Sequence, residues 1–203
     1  MVFSSSPLFI LDDGFQHWKL YRDRDIVLID SIRGFGNGHL LPRGILREPA
    51  SSLKRATHIL ISGDDGKEIV DKIALSNINS IRSFRYVPTG IVNLTNNTKF
   101  PIDCLKNKKV LAFSGIANPV SFFITLKNTG AIIKNTFVFK DHHRYTIKNL
   151  DNIKRDSCGT AYIITTEKDS VKIKDILPSD MDVYAMTIDI VIDNEQEFLT
   201  QIC

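Results

Sequence analysis

The chain has 203 residues, 43% of them hydrophobic and 24% charged, with a mean hydropathy of −0.05. Those proportions belong to a globular protein and exclude a disordered or collagen-like one. The net charge is only +3, with both signs interspersed. So weak a basic bias suits an anionic substrate or a membrane surface, and no nucleic-acid partner is expected from it. Cys104, Cys158 and Cys203 match no metal-ligand spacing, and an odd count builds no disulfide framework, so a reducing, cytoplasmic compartment is expected. The longest uncharged stretch, 110–126, is interrupted by Ser114, Gly115, Asn118, Pro119 and Ser121. It falls short of the ~20 apolar residues of a bilayer-spanning helix, and no signal peptide or transmembrane segment is expected.

In chain order, short apolar runs alternate with polar turns and helical patterns, which predicts an α/β fold. Residues 7–11 (PLFIL) and 26–30 (IVLID) read as buried strands, each ending at a carboxylate. Residues 57–62 (THILIS) and 84–92 give two more, and the polar segment 93–108, with its proline, reads as a linker. Beyond it, 109–114 (KVLAFS) predicts a strand that turns at Gly115. Asn118 can cap the following helix, with Pro119 at its first position, where a missing N–H costs nothing. That helix should run to about Asn128, with Gly130 supplying a left-handed terminus. Strand 131–139, a helix near 146–157, strand 161–165, a short helix in TEKDSVKI and strand 182–192 complete the chain. The order implies a mostly parallel sheet with right-handed crossovers. It divides into a first lobe, 1–92, and a smaller α/β lobe, 109–203. A doubly wound domain builds a strand and helix before the loop carrying its chemistry. Here Met1 precedes the apolar strand 7–11 by only a few residues, so the sheet is expected to be incomplete at the N-terminus.

Three tracts carry chemistry. In Asp12-Asp13-Gly14-Phe15-Gln16-His17, two carboxylates follow an apolar run. Acids at the C-terminal end of a buried strand are where a phosphate-binding α/β protein holds Mg²⁺. The plainer reading is a DDG turn with Asp12 as a local cap. The second tract, 33–49, has Gly34, Gly36 and Gly38, which let a ligand approach the backbone, followed by Arg43, Arg47 and Glu48. Arginine forks suit phosphate groups, and a loop this long is seldom idle. His39 stands where a dinucleotide fingerprint needs glycine. The third tract, Asp141-His142-His143, directly follows a strand, and a histidine beside a carboxylate can act as general base toward a hydroxyl. Thr166-Glu167-Lys168-Asp169 fits both a phosphate-directed lysine and a simple helix cap. No GxxxxGK[ST] occurs; the one Gly-Lys pair, Gly66-Lys67, precedes Glu68 in an acidic turn.

Together, DDGFQH at 12–17, PRGILREP at 42–49, FSGIANP at 113–119, FKDHHRY at 139–145 and TEKDSV at 166–171 resemble the tetraacyldisaccharide 4′-kinase family, the lipid A kinases of Gram-negative bacteria. The resemblance implies a P-loop-kinase-like fold that transfers the γ-phosphoryl group of ATP to the 4′-hydroxyl of a tetraacyldisaccharide 1-phosphate. It further implies work at the cytoplasmic surface of the inner membrane. By the same resemblance, Asp12, Asp13 and Glu48 look like the Mg²⁺-site acids, and Gln16, His17 and Arg47 like contacts to nucleotide or lipid. His142 looks like the catalytic histidine, with Asp141 beside it. The acids and the imidazole are expected to serve one magnesium–triphosphate crevice. The family's P-loop, dyad aspartate and membrane-anchoring helix match nothing in these residues, so the chain is expected to be the C-terminal portion of such a kinase, inactive alone. An upstream polypeptide could be its partner. Two alternatives remain open here: a non-catalytic remnant or split-enzyme lobe, and a metal phosphoesterase, since Asp141-His142-His143 also resembles the DHH phosphoesterases.

Overall fold

The structure, a computed structural model, describes residues 8–63, 69 and 80–202. The Gly66-Lys67 turn and Cys203 lie outside the described residues. Contacts divide the chain into two compact units. One holds the residues up to Arg85 together with Val191 onward, the other Tyr86–Ile190.

In the first unit, β1 (Ile26–Asp30), β2 (His58–Ser62) and the start of β3 (Ile81–Asn93) run parallel. Ile59 and Ile61 of β2 pack with Ile29, Leu53 and Ala56 on one face. Leu60 meets Phe84 and Phe198 on the other, and Phe198 belongs to the closing helix Glu195–Ile202. A strand covered on both faces is apolar at its centre, which is why Ile59, Leu60 and Ile61 form an unbroken run.

The strand expected over 7–11 does not form among residues 8–11. Phe9 and Ile10 are each 87% exposed. An apolar run becomes a strand only when a neighbour satisfies its N–H and C=O groups, and no described strand pairs with this one. Asp12 and Asp13 therefore stand in a turn ahead of a 3-10 turn, Gly14–Gln16, and not at the end of a buried strand.

The second unit repeats the α/β logic. Its strands are β3, β4 (Lys99–Pro101), β5 (Lys109–Ser114), β6 (Ile132–Val138), β7 (Tyr162–Thr166) and β8 (Tyr184–Ile192), which continues to Ile192. Their order is β3-β8-β7-β5-β6, with β4 antiparallel on β3. The β6-β5-β7-β8 pairings are all parallel. The segment 93–108, read as a linker, lies within this unit and carries β4 and a 3-10 turn at Ile102–Leu105. Central strand β5 is buried from Val110 to Ser114. Val110 and Ala112 face Phe122 and Leu126 of α1 (Pro119–Asn128). Leu111 and Phe113 face Leu150 and Ile153 of α2 (Ile147–Asp156).

Local signals set the helix ends. Asn118 accepts the Ser121 N–H, Pro119 opens α1, and Gly130 has φ 84°. Thr146 and Asn149 cap α2 reciprocally. Thr166 caps α3 (Glu167–Ile173) by accepting the Asp169 N–H at 3.0 Å. The last helix, Glu195–Ile202, is α4.

Candidate functional site

In the first unit, the loop 31–49 has no strand or helix apart from an isolated bridge between Leu40 and Leu46. Gly34, Gly36 and Gly38 all take positive φ, and the Leu41–Pro42 peptide is cis. Gly44 is fixed by crowding. A Cβ there would lie 2.1 Å from the His39 carbonyl oxygen and 2.3 Å from Asn37 Oδ1. Asn37 Nδ2 also donates to the Arg43 carbonyl at 2.9 Å, so the loop folds back on itself just before Arg47 and Glu48.

There the loop meets the DDGFQH turn. Arg47 Nη1 lies 2.9 Å from Asp13 Oδ2, on a backbone where Asp13 is left-handed, φ 51°. Glu48 accepts from Arg55 Nη2 at 2.8 Å and from Trp18 Nε1 at 3.4 Å. The Arg55 guanidinium sits 4.5 Å from the Phe15 ring centre and 4.4 Å from that of Trp18. Cation–π contact and the carboxylate thus share one arginine. The hydrogen bond from Arg55 holds the Glu48 carboxyl below its usual range. Asp12, His17, Arg33 and Arg43 are exposed, and Gln16 is half-buried. Tracts thirty residues apart are thereby joined through Arg47–Asp13, Trp18–Glu48 and Arg55. Arg55, outside every motif, was missed from sequence; the clue available was the unmatched charge of Glu48 beside an aromatic pair.

These acids do not build a metal cage. Among the described residues no three His, Cys, Asp or Glu side chains gather. Mg²⁺, however, is ordinarily held by one or two carboxylates plus substrate phosphates and water. Asp12 and the adjacent Asp13, at a turn with open access, fit that donor set, with Asp13 shared with Arg47 and Glu48 with Arg55.

In the second unit, three tracts sit at the C-terminal ends of neighbouring parallel strands: FSGIANP after β5, FKDHHRY after β6 and TEKDSV after β7. That edge is where open α/β sheets bind ligands. The two histidines part company. His143 stacks on Phe139 (4.6 Å, 22°), meets Tyr145 edge-on and reaches Asn149 Oδ1 at 3.2 Å. His142 is 77% exposed, with Nε2 3.8 Å from Asp141 Oδ2. Its backbone is left-handed, φ 57°, and its N–H donates to Asp141 Oδ1 at 2.9 Å. A non-glycine residue held there costs about 1–3 kcal/mol and is found at functional positions.

Behind the turn, the fully buried Asp169 accepts the Gly115 N–H at 2.8 Å and the Thr166 hydroxyl at 2.9 Å, and pairs with Lys172. Tyr145 lies beside it. Burial, then the Asp169 charge, push the Tyr145 hydroxyl above its usual range. That hydroxyl makes no close hydrogen bond, with the Asp169 carboxylate beside it as the acceptor that acts on it.

The family model for tetraacyldisaccharide-1-P 4′-kinase matches residues 3–203. The chain belongs to that family. It is 38% identical to a tetraacyldisaccharide 4′-kinase of Halothermothrix orenii, over 92% of this chain and 54% of that protein. It is 37% identical to the enzyme of Francisella tularensis subsp. novicida, over 85% of this chain and 52% of the other. A crystal structure of LpxK from Aquifex aeolicus in complex with ATP is similar at 27% identity and a TM-score of 0.62, covering 94% of this chain and 56% of that one. This kinase-family chain thus spans about half the length of the curated relatives it matches. Its α/β, mostly parallel architecture is that of the LpxK neighbour, a P-loop kinase fold. No described helix is long and apolar enough to cross a membrane.

Proposed function

We propose that this chain supplies the acidic turn, the arginine loop and the general base of a lipid A 4′-kinase, acting at a membrane surface on ATP and a tetraacyldisaccharide 1-phosphate. Phosphoryl transfer asks for positioning and charge neutralisation more than covalent help. In this reading the 4′-hydroxyl oxygen attacks the γ-phosphorus, the bond from that phosphorus to the β,γ-bridging oxygen breaks, and ADP leaves. His142 takes the hydroxyl proton. Asp141 orients the turn that carries His142. Arg47 offers its guanidinium fork to phosphate oxygens, with Gln16 and His17 as further polar contacts to substrate. Asp12 and Asp13 would hold Mg²⁺, which when bound neutralises charge on the phosphates. The observation that carries the reading is the Arg47–Asp13 contact, which sets a phosphate-seeking cation and metal-seeking carboxylates side by side.

The 203 residues contain no GxxxxGK[ST], so in this reading the phosphate cradle of a P-loop is supplied from outside them. The test is transfer of labelled γ-phosphate to the disaccharide by the chain alone and with a P-loop-bearing N-terminal polypeptide of a relative. Transfer only by the mixture, lost in D12N and H142A, is the expected result. Turnover by these 203 residues alone overturns the need for a P-loop from outside them. No association and no transfer makes the chain a remnant. Manganese-dependent phosphodiester hydrolysis without transfer favours the phosphoesterase reading.

A further inference from the structure

The TEKDSV tract has no part in the function so far, yet its first helical turn touches the histidine turn from outside and from beneath. On the outside, Lys168 Nζ lies 3.7 Å from Asp141 Oδ1. That same oxygen accepts the His142 N–H and so pins the left-handed backbone of His142. Beneath, Asp169 holds the Gly115 N–H. Gly115 is wedged against the histidine turn: a Cβ there would lie 3.0 Å from Tyr145 Oη, 3.3 Å from Asp169 Oδ1 and 3.3 Å from His143 Cβ. The His143 N–H closes the turn on the Lys140 carbonyl at 3.1 Å, and with the Asp141 contact it holds His142 at a positive φ that a non-glycine residue seldom takes. The conformation persists only where surroundings over-determine it.

We propose that Lys168 and Asp169 are positioning residues for His142. Lys168 fixes the carboxylate that pins the turn, and Asp169 fixes the Gly115 floor on which the turn rests. A buried carboxylate needs its partners in full. Asp169 has them in the Gly115 N–H, the Thr166 hydroxyl and Lys172, so it is a rigid post rather than a solvated cap. Lys168, half-exposed beside Asp141, is dispensable for the core, and its loss should move the turn without unfolding the unit. The proposal rests on His142 being the reacting group, but its first test does not.

That test is amide hydrogen exchange, read residue by residue on the 203-residue chain, in wild type, K168M, K168R and D169N. K168M should speed exchange of the His142 amide about threefold to tenfold while leaving Gly115 unchanged; K168R should restore it. D169N should speed Gly115 and His142 together. Unchanged His142 exchange in K168M overturns the proposal whatever the enzyme does. In the reconstituted kinase, K168M should lower kcat with KM for ATP held, and K168R should recover it. A raised KM for ATP with His142 exchange unmoved makes Lys168 a phosphate ligand instead, which also overturns the proposal. Should D169N fail to fold, K172M, which removes the ion pair to Asp169 and the 3.5 Å contact to the Gly115 carbonyl, gives the second reading of the floor.

Discussion

Arg47 and Asp13 form an ion pair across thirty-four residues of sequence, with side chains 60% and 77% exposed. So wet a pair adds little to folding, because water and salt screen it and both side chains lose freedom. Its worth must lie in what it presents. R47A should therefore change unfolding free energy by no more than about 0.5 kcal/mol in urea, yet reduce phosphoryl transfer by the reconstituted kinase by at least about tenfold. A stability loss matching the activity loss would count against a ligand-binding role.

Strain at His142 gives a second expectation. Glycine tolerates φ 57° without penalty, so H142G should unfold at equal or higher denaturant than H142A. Both variants should lose transfer. Circular dichroism melts alongside the transfer assay separate the two effects; a strongly destabilised H142G would mean that the imidazole holds the turn instead of being held by it.

Gly115 and Tyr145 should couple. G115A drives a methyl to 3.0 Å from Tyr145 Oη and should cost about 1–3 kcal/mol. Y145F removes a buried hydroxyl that makes no close hydrogen bond beside Asp169, and should change stability by no more than about 1 kcal/mol. In the double variant part of the G115A penalty should return, measured as a double-mutant cycle by urea unfolding. Additive effects would show that the wedge acts through His143 Cβ alone.

His58 makes the first unit acid-sensitive. It is buried edge-on to Phe198, and burial lowers its pKa from the ordinary value. Above about pH 6.5 imidazole is neutral folded and unfolded, and the group costs nothing. As pH falls below that, the unfolded chain takes up the proton and the folded one resists, so stability drops until the lower folded value is passed. Unfolding free energies at pH 7.5 and 5.5 should show this loss, and H58L should flatten it.

The sequence was informative where signals are local. KVLAFS reads as β5 because both faces are covered, and Asn118-Pro119 and Gly130 mark the ends of α1 in the sequence itself. PLFIL could not be judged in the same way. The same apolar run serves a strand or a bare segment, and the choice belongs to a partner elsewhere in the chain. The candidate site shows a like division. Residue types point to Asp12 and Asp13, and the family resemblance to Glu48 and His142, but nothing local tells that Arg55 claims Glu48 or that Asp169 is buried. Thr166-Glu167-Lys168-Asp169 fits a phosphate-directed lysine and a helix cap equally well as sequence, and the structure shows the cap; its reach to Gly115 spans fifty-four residues, beyond any periodicity.

Trp18 is the only tryptophan in the sequence. It is 70% exposed, with its indole N–H on Glu48 and its ring under Arg55. Its emission is therefore a native optical gauge of the acidic turn. Quenching or a wavelength shift on adding magnesium and nucleotide would track occupancy at that turn directly, with no dye, label or catalytic turnover.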